Sequence, residues 1–181
     1  LLVVDPASGL PSREDQARYG SLLWALMHGH LDFHIVDTDI LTEGAIAEGK
    51  VRAADVTARV VLVPPMPEIE PPLQVWLDRF VTAGGTVVLW DAQMDLERVM
   101  RAVRRRVKPS LHVRDGEGNE VGDVLVVKRV GGDRTLWFGY NVSREAHDVI
   151  LDRGGALREI SLDADRPPVL ERGDGTAYRR T

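Results

Sequence analysis

The chain opens on an unbroken apolar run, Leu1-Leu2-Val3-Val4, stopped by Asp5-Pro6, which is the pattern of a strand buried on both faces of a parallel sheet. Ser12 with Asp15 then has the spacing of a capping box. Tyr19, Leu22, Leu23, Leu26 and Met27 follow at helical intervals up to Gly29. A second strand is expected over Phe33–Val36, ending in Asp37-Thr38-Asp39, with a short helical piece after it from about Ile40 to Ala47. The third strand, Val60–Val63, stops at Pro64-Pro65. Pro71-Pro72 suit the first turn of a helix, where a missing N–H costs nothing. Leu73, Trp76, Leu77, Phe80 and Val81 give that helix an apolar face, and Gly84-Gly85 end it. Thr86–Trp90 reads as a fourth strand closing at Asp91, and Leu96–Val103 as a further helix. Strands alternating with helices imply right-handed crossovers and a flavodoxin-like parallel sheet with flanking helices.

The period changes at about Pro109. Short runs rich in Val, Leu, Thr and aromatics are separated by Asp115-Gly116-Glu117-Gly118-Asn119, Gly131-Gly132-Asp133, Gly154-Gly155 and Gly173-Asp174-Gly175. With no helical repeat between them, these read as successive hairpins, with strands over 110–114, 123–130, 134–142, 146–151, 156–162 and 176–180. The expected organisation is an α/β domain over 1–107 and a small antiparallel β-sandwich over 109–181. The opening inside a buried strand, without an initiator methionine, suggests a piece of something longer. A missing neighbour would leave an apolar surface on the α/β part, through which the chain would associate as a two-fold dimer.

Composition narrows the chemistry more than it defines it. There is no cysteine, which excludes disulfides, thiolate zinc sites and thiol nucleophiles. A formal net charge of -5 argues against nucleic acid as the main partner. The one basic cluster, Arg101, Arg104, Arg105, Arg106 and Lys108, reads first as a solvated helix face with cations at its C-terminal end. No apolar run reaches the roughly 20 residues that cross a bilayer, so no membrane partner is expected. Localisation stays open, with a cytoplasmic setting favoured over secretion.

In an open parallel sheet, ligands lie outside the carboxyl ends of the strands. Those ends carry Asp5, Asp37, Asp39 and Asp91, which could bind a cation or sugar hydroxyls, or work as an acid/base pair. The plainer reading has Asp39 capping the short helix and Asp5 and Asp91 making turns. His28, His30 and His34, with Asp32 between them, have spacing that could suit a metal. The first two straddle a helix end and the third lies in a strand, so structural roles are favoured and neither metal nor cofactor is expected. Asp115–Glu120 superficially suggests a calcium loop but lacks the EF-hand ligand order. Asn141-Val142-Ser143 is a formal glycosylation acceptor that a strand-end turn explains equally well. No G-x-G-x-x-G, P-loop or G-x-S-x-G occurs.

Three stretches resemble a domain of large bacterial glycoside hydrolases of the β-galactosidase and α-L-rhamnosidase type. They are Leu31 to Leu41, Ala58 to Met66 and Leu77 to Leu89, the last containing Phe80-Val81-Thr82-Ala83-Gly84-Gly85-Thr86-Val87-Val88-Leu89. Together they look like the class I glutamine amidotransferase-like domain that follows the catalytic barrel. Thr135 to Ser143 and on to Leu162 is similar to the β-sandwich that often comes next. Functional amidotransferases use a cysteine nucleophile at a strand-to-helix elbow, and Pro64, Pro65 and Met66 stand at the third strand's end here. A (β/α)8 barrel of about 250 residues does not fit beside these two domains.

The resemblance therefore implies a chain without catalytic residues of its own, an accessory portion serving oligomerisation or packing against the catalytic domain of the parent enzyme. The alternative is a stand-alone carbohydrate- or small-ligand-binding module, using the aspartate-lined edge or exposed aromatics such as Trp137 and Tyr140.

Overall fold

The computed structural model describes residues 1–6, 12–66, 68–91, 94–131, 134–152, 157–162, 169–172 and 177–179. The turns expected at Gly132-Asp133, Gly154-Gly155 and Gly173-Asp174-Gly175 lie outside them. The elements begin with β1 (Leu2–Val4), α1 (Arg13–His28), β2 (His34–Val36), α2 (Thr38–Thr42), β3 (Ala45–Ala47), β4 (Lys50–Ala53) and β5 (Val56–Ala58). Next come β6 (Val60–Val63), α3 (Pro71–Thr82), β7 (Thr86–Leu89) and α4 (Leu96–Arg106). Only strands follow: β8 (His112–Arg114), β9 (Val124–Gly131), β10 (Arg134–Asn141), β11 (His147–Asp152), β12 (Leu157–Leu162), β13 (Val169–Arg172) and β14 (Ala177–Arg179). The chain divides into two compact units, Leu1–Trp24 with Phe33–Lys108, and Ala25–Asp32 with Pro109–Thr181.

In the first unit β2, β1, β6 and β7 form a parallel sheet in that order, the 2-1-3-4 arrangement of flavodoxin-like folds. Leu2, Val3 and Val4, and all of Val60–Val63, are buried, so these central strands are continuous apolar runs, not alternating ones. The step from β1 to β2 runs opposite to the step from β6 to β7. Right-handed crossovers therefore put α1 and α3 on opposite faces. On the α3 face, Leu2, Val4, Val61 and Val63 pack with Leu73, Trp76, Leu77 and Phe80, and the Trp76 and Phe80 rings stack 5.2 Å apart. Ser12 caps α1, its Oγ accepting from the Asp15 N–H at 3.1 Å and donating to the Asp15 carboxylate at 2.6 Å.

The structure corrects the reading of residues 40–47. The helix is confined to Thr38–Thr42, and Ala45–Ala47 begins a small antiparallel sheet, β3-β4-β5. Asp37, not Asp39, is the N-cap: its backbone is extended and its Oδ1 accepts from the Asp39 N–H at 2.8 Å. The missed signal is the alternation in Lys50-Val51-Arg52-Ala53, where Val51 and Ala53 join the α3-side core while Arg52 is exposed. The turn before it holds Glu48 at φ 51 and Gly49 at φ 69, the two positive angles of a type I′ hairpin. Gly49 is also pressed on Gly84, where an added Cβ would stand 2.7 Å from the carbonyl oxygen. Gly84, at φ 89, closes α3 in a Schellman motif, with Gly84 N–H donating to Val81 and Gly85 N–H to Phe80.

The second unit holds two antiparallel sheets, β14-β13-β10-β9 and β12-β11-β8, which contribute to one core. Val124 and Trp137 come from the first sheet, and Val113, Val149, Leu151 and Leu162 from the second. Strand β13 was not among the expected strands; Pro167-Pro168 precede it and obscure its start. Trp137, proposed above as an exposed aromatic, is 7% exposed and belongs to this core, with Lys128 Nζ 5.3 Å from its ring centroid. Tyr140, three residues further along β10 and so on the opposite face, is half exposed. Asn141 is buried. Its Nδ2 donates to the carbonyls of Glu145 at 2.7 Å and Leu162 at 3.0 Å, and its Oδ1 accepts from the Ser143 N–H at 2.9 Å. The formal glycosylation asparagine is thus the hub of a strand-end turn.

Candidate functional site

The carboxyl edge of the parallel sheet places two of the four aspartates side by side. Val4 pairs with Val36, so Asp5 and Asp37 follow one step later on adjacent strands, and the Asp5 N–H continues the ladder to the Val36 carbonyl at 2.8 Å. Asp37 spends one carboxylate oxygen on the α2 cap, and Asp39 stands exposed in the first turn of that helix. Asp91 follows β7, separated from Asp5 by the whole of β6. The topology therefore groups Asp5 with Asp37 and sets Asp91 apart. Pro64, which ends β6 between them, is buried.

The structure adds Tyr19, which sequence reading assigned only to the apolar face of α1. Its hydroxyl is buried without a hydrogen-bond partner. Burial, and then the negative charge of Asp5, push its pKa up to about 12. At neutral pH this phenol holds its proton, so it can donate a hydrogen bond but cannot serve as a base. Nothing in the spacing of Asp5 and Tyr19 signals the pairing, because it depends on how α1 returns over the end of β1.

A second polar group lies in the other unit. After α1, His30 occupies the left-handed position of a Schellman motif, at φ 52, with its N–H donating to Met27 and that of Leu31 to Leu26. Leu26 and Leu31 are both buried, the apolar pair that accompanies this motif. His30 Nε2 lies 2.8 Å from the Val124 carbonyl, which makes it the protonated nitrogen, and Nδ1 faces Glu120 Oε2 at 3.6 Å. Glu120 also meets His112 Nδ1 at 2.6 Å and Arg114 Nε at 3.6 Å. Burial pushes the His30 pKa below its ordinary 6.5, against the opposing pull of the Val124 hydrogen bond and Glu120. His28 lies 3.7 Å from Asp123, and His34 is an exposed residue of β2 in the other unit. Among the described residues no group of three or more histidine, aspartate or glutamate side chains is placed to hold a metal ion.

Two further arrangements have the appearance of chemistry and a structural explanation. Ser143 Oγ lies 2.9 Å from His147 Nε2, a nucleophile–base distance. The same hydroxyl accepts from the Glu145 N–H and sits 2.9 Å from the Glu145 carbonyl, and among the described residues no carboxylate orients the imidazole. In the 115–120 loop, Asp115 accepts from the Asn119 amide at 3.0 Å and from the N–H groups of Asn119 and Glu117 at 2.9 Å. These bonds, the Asn119 side chain first, hold the Asp115 carboxyl below its usual range and commit its oxygens to the turn.

No helix among the described residues is long and apolar enough to cross a membrane. No protein-family model and no curated protein matches the chain. Among solved structures it is similar to a rhamnosidase from a Novosphingobium species, with a TM-score of 0.57 and 11% sequence identity. The likeness covers 84% of this chain and 21% of that one, so the chain spans a minor part of the rhamnosidase's length. At this identity the likeness is one of fold alone, this chain's parallel α/β sheet and small antiparallel sheets being similar to part of that rhamnosidase's fold.

Proposed function

We propose that this chain is a non-catalytic accessory portion of a glycoside hydrolase, serving oligomerisation or packing against a catalytic barrel. The observation that carries the reading is the length of the fold likeness, 84% of this chain on 21% of a rhamnosidase. The amidotransferase-like assignment of the α/β part rests on the resemblance of Ala58–Met66 and Leu77–Leu89 alone, and the missing cysteine denies it glutamine hydrolysis. Neither polar group described above combines a nucleophile, an oriented base and a donor for a developing charge. The binding-module alternative is weakened by the burial of Trp137, which leaves Tyr140 as the exposed aromatic of that strand for stacking on a sugar ring.

The test has two parts. The purified chain should turn over neither aryl rhamnosides, aryl galactosides nor glutamine above a buffer blank. Turnover that disappears in Asp39→Ala or Asp91→Ala would overturn the non-catalytic reading. The genomic reading frame around this segment should also encode a (β/α)8 barrel. A frame that starts and stops at these residues would favour the binding module instead.

A further inference from the structure

The outward face of α3 carries a pattern that its own fold does not use. Leu73, Trp76, Leu77 and Phe80 fill the core, and on the opposite side Val75, Asp78, Arg79 and Thr82 repeat at i, i+3, i+4 and i+7. All four are exposed, and Val75, at the N-terminal end of the stripe, is 59% exposed. Together with Ile46 and Ala83 they line an open groove of about 500 Å³. Among the described residues neither Asp78 nor Arg79 has an ion-pair partner. Asp78 accepts a hydrogen bond from Gln74 at 2.9 Å, an uncharged neighbour one turn earlier.

This stripe is complementary to itself. If two α3 helices are laid antiparallel about a two-fold axis passing between residues 78 and 79, Asp78 of each copy falls opposite Arg79 of the other. Val75 then meets the methyl group of Thr82. Both contacts occur twice, as an isologous interface requires. A lone exposed valine is ordinary on a solvated helix; what points to a second copy is that the exposed charge pair and its apolar ends are together their own complement about a two-fold axis, which an unrelated partner would not need.

We propose that the α3 face, Val75-Asp78-Arg79-Thr82, pairs with the same face of a second copy of this chain across a two-fold axis. The inference deepens the oligomerisation role proposed above and rests on it. A single 12-residue helix on each side makes an interface below the standard size, so the association is weak and reversible.

Sedimentation equilibrium from about 10 μM to about 1 mM, the range suited to small interfaces, tests it directly. The wild-type chain should pass from monomer to dimer in this range. Asp78→Arg sets two pairs of arginines against each other, and Arg79→Asp sets two pairs of carboxylates. Each should raise the dimer Kd by about tenfold or more, because like charges placed opposite one another are costly. Mixing the two variants should restore association as a heterodimer, and so should the double variant with itself. A wild-type chain that stays monomeric at the top of the range overturns the proposal, as does a mixture that associates no better than either variant alone. Dimerisation indifferent to both substitutions places the interface elsewhere and also overturns it. Absence of glycosidase turnover in the same preparations leaves the accessory reading standing in every one of these cases.

Discussion

Replacing Asn141 with alanine removes three hydrogen bonds at once from the turn that joins β10 to β11. The amide orientation is set by its neighbours, since two carbonyls can only receive the NH2 and one N–H can only meet the oxygen. The Leu162 carbonyl is the buried partner, and leaving it unpaired costs about 1–3 kcal/mol. The Glu145 carbonyl and the Ser143 N–H are partly exposed and recover water, so each loses about 0.5–1 kcal/mol. The expected destabilisation is about 3 kcal/mol. With a urea m-value of about 1–3 kcal/mol per molar, the midpoint of the transition that includes the second unit falls by about 1–3 M. Asn141→Asp keeps the shape but turns an oxygen toward two carbonyls. It should be less stable than the alanine variant at neutral pH and should gain on wild type as acidification gives the carboxyl a proton to donate. Urea titrations followed by circular dichroism at several pH values measure both effects. An alanine variant within about 0.5 kcal/mol of wild type, or an aspartate variant with no pH-dependent recovery, would refute the hydrogen-bond account of this turn.

His30 makes a second, pH-linked prediction. Its folded pKa lies below its ordinary 6.5, so the unfolded chain binds the proton more readily, and stability is full above that value. It is lost as pH falls below 6.5 through the depressed folded value. His30→Gln, which keeps a donor for the Val124 carbonyl, should flatten the stability profile below about pH 6.5, and an unchanged slope there would remove the assignment. Gly49→Ala combines left-handed backbone strain with a clash on the Gly84 carbonyl and should cost about 2–4 kcal/mol. Gly118→Ala, at φ 89 in open space, meets the strain alone and should cost about 1–2 kcal/mol; equal losses in the two variants by urea titration would mean the contact does not matter.

What could be read directly from the chain was everything written in short-range periodicity. Continuous apolar runs at Leu2–Val4 and Val60–Val63 mark strands covered on both faces, and the Trp76-Leu77-Phe80 face with its Gly84-Gly85 stop marks α3, because burial and backbone sterics act within a few residues. The Ala45–Ala58 hairpins were hidden by their shortness: three or four residues of alternation resemble the tail of a helix until the left-handed Glu48-Gly49 turn is seen. Trp137 and Tyr140, offered together as exposed aromatics, lie on opposite faces of β10, and alternation says that they do so but not which face another sheet will cover. The polar groupings were beyond sequence reading altogether. His30 meets Val124 across 94 residues, and Asp5 acts on Tyr19 only because α1 is carried back over the sheet. Pattern along a chain records which side chains must leave water. Which polar groups they bring together is decided when the packed elements leave each buried donor or acceptor a single place to go.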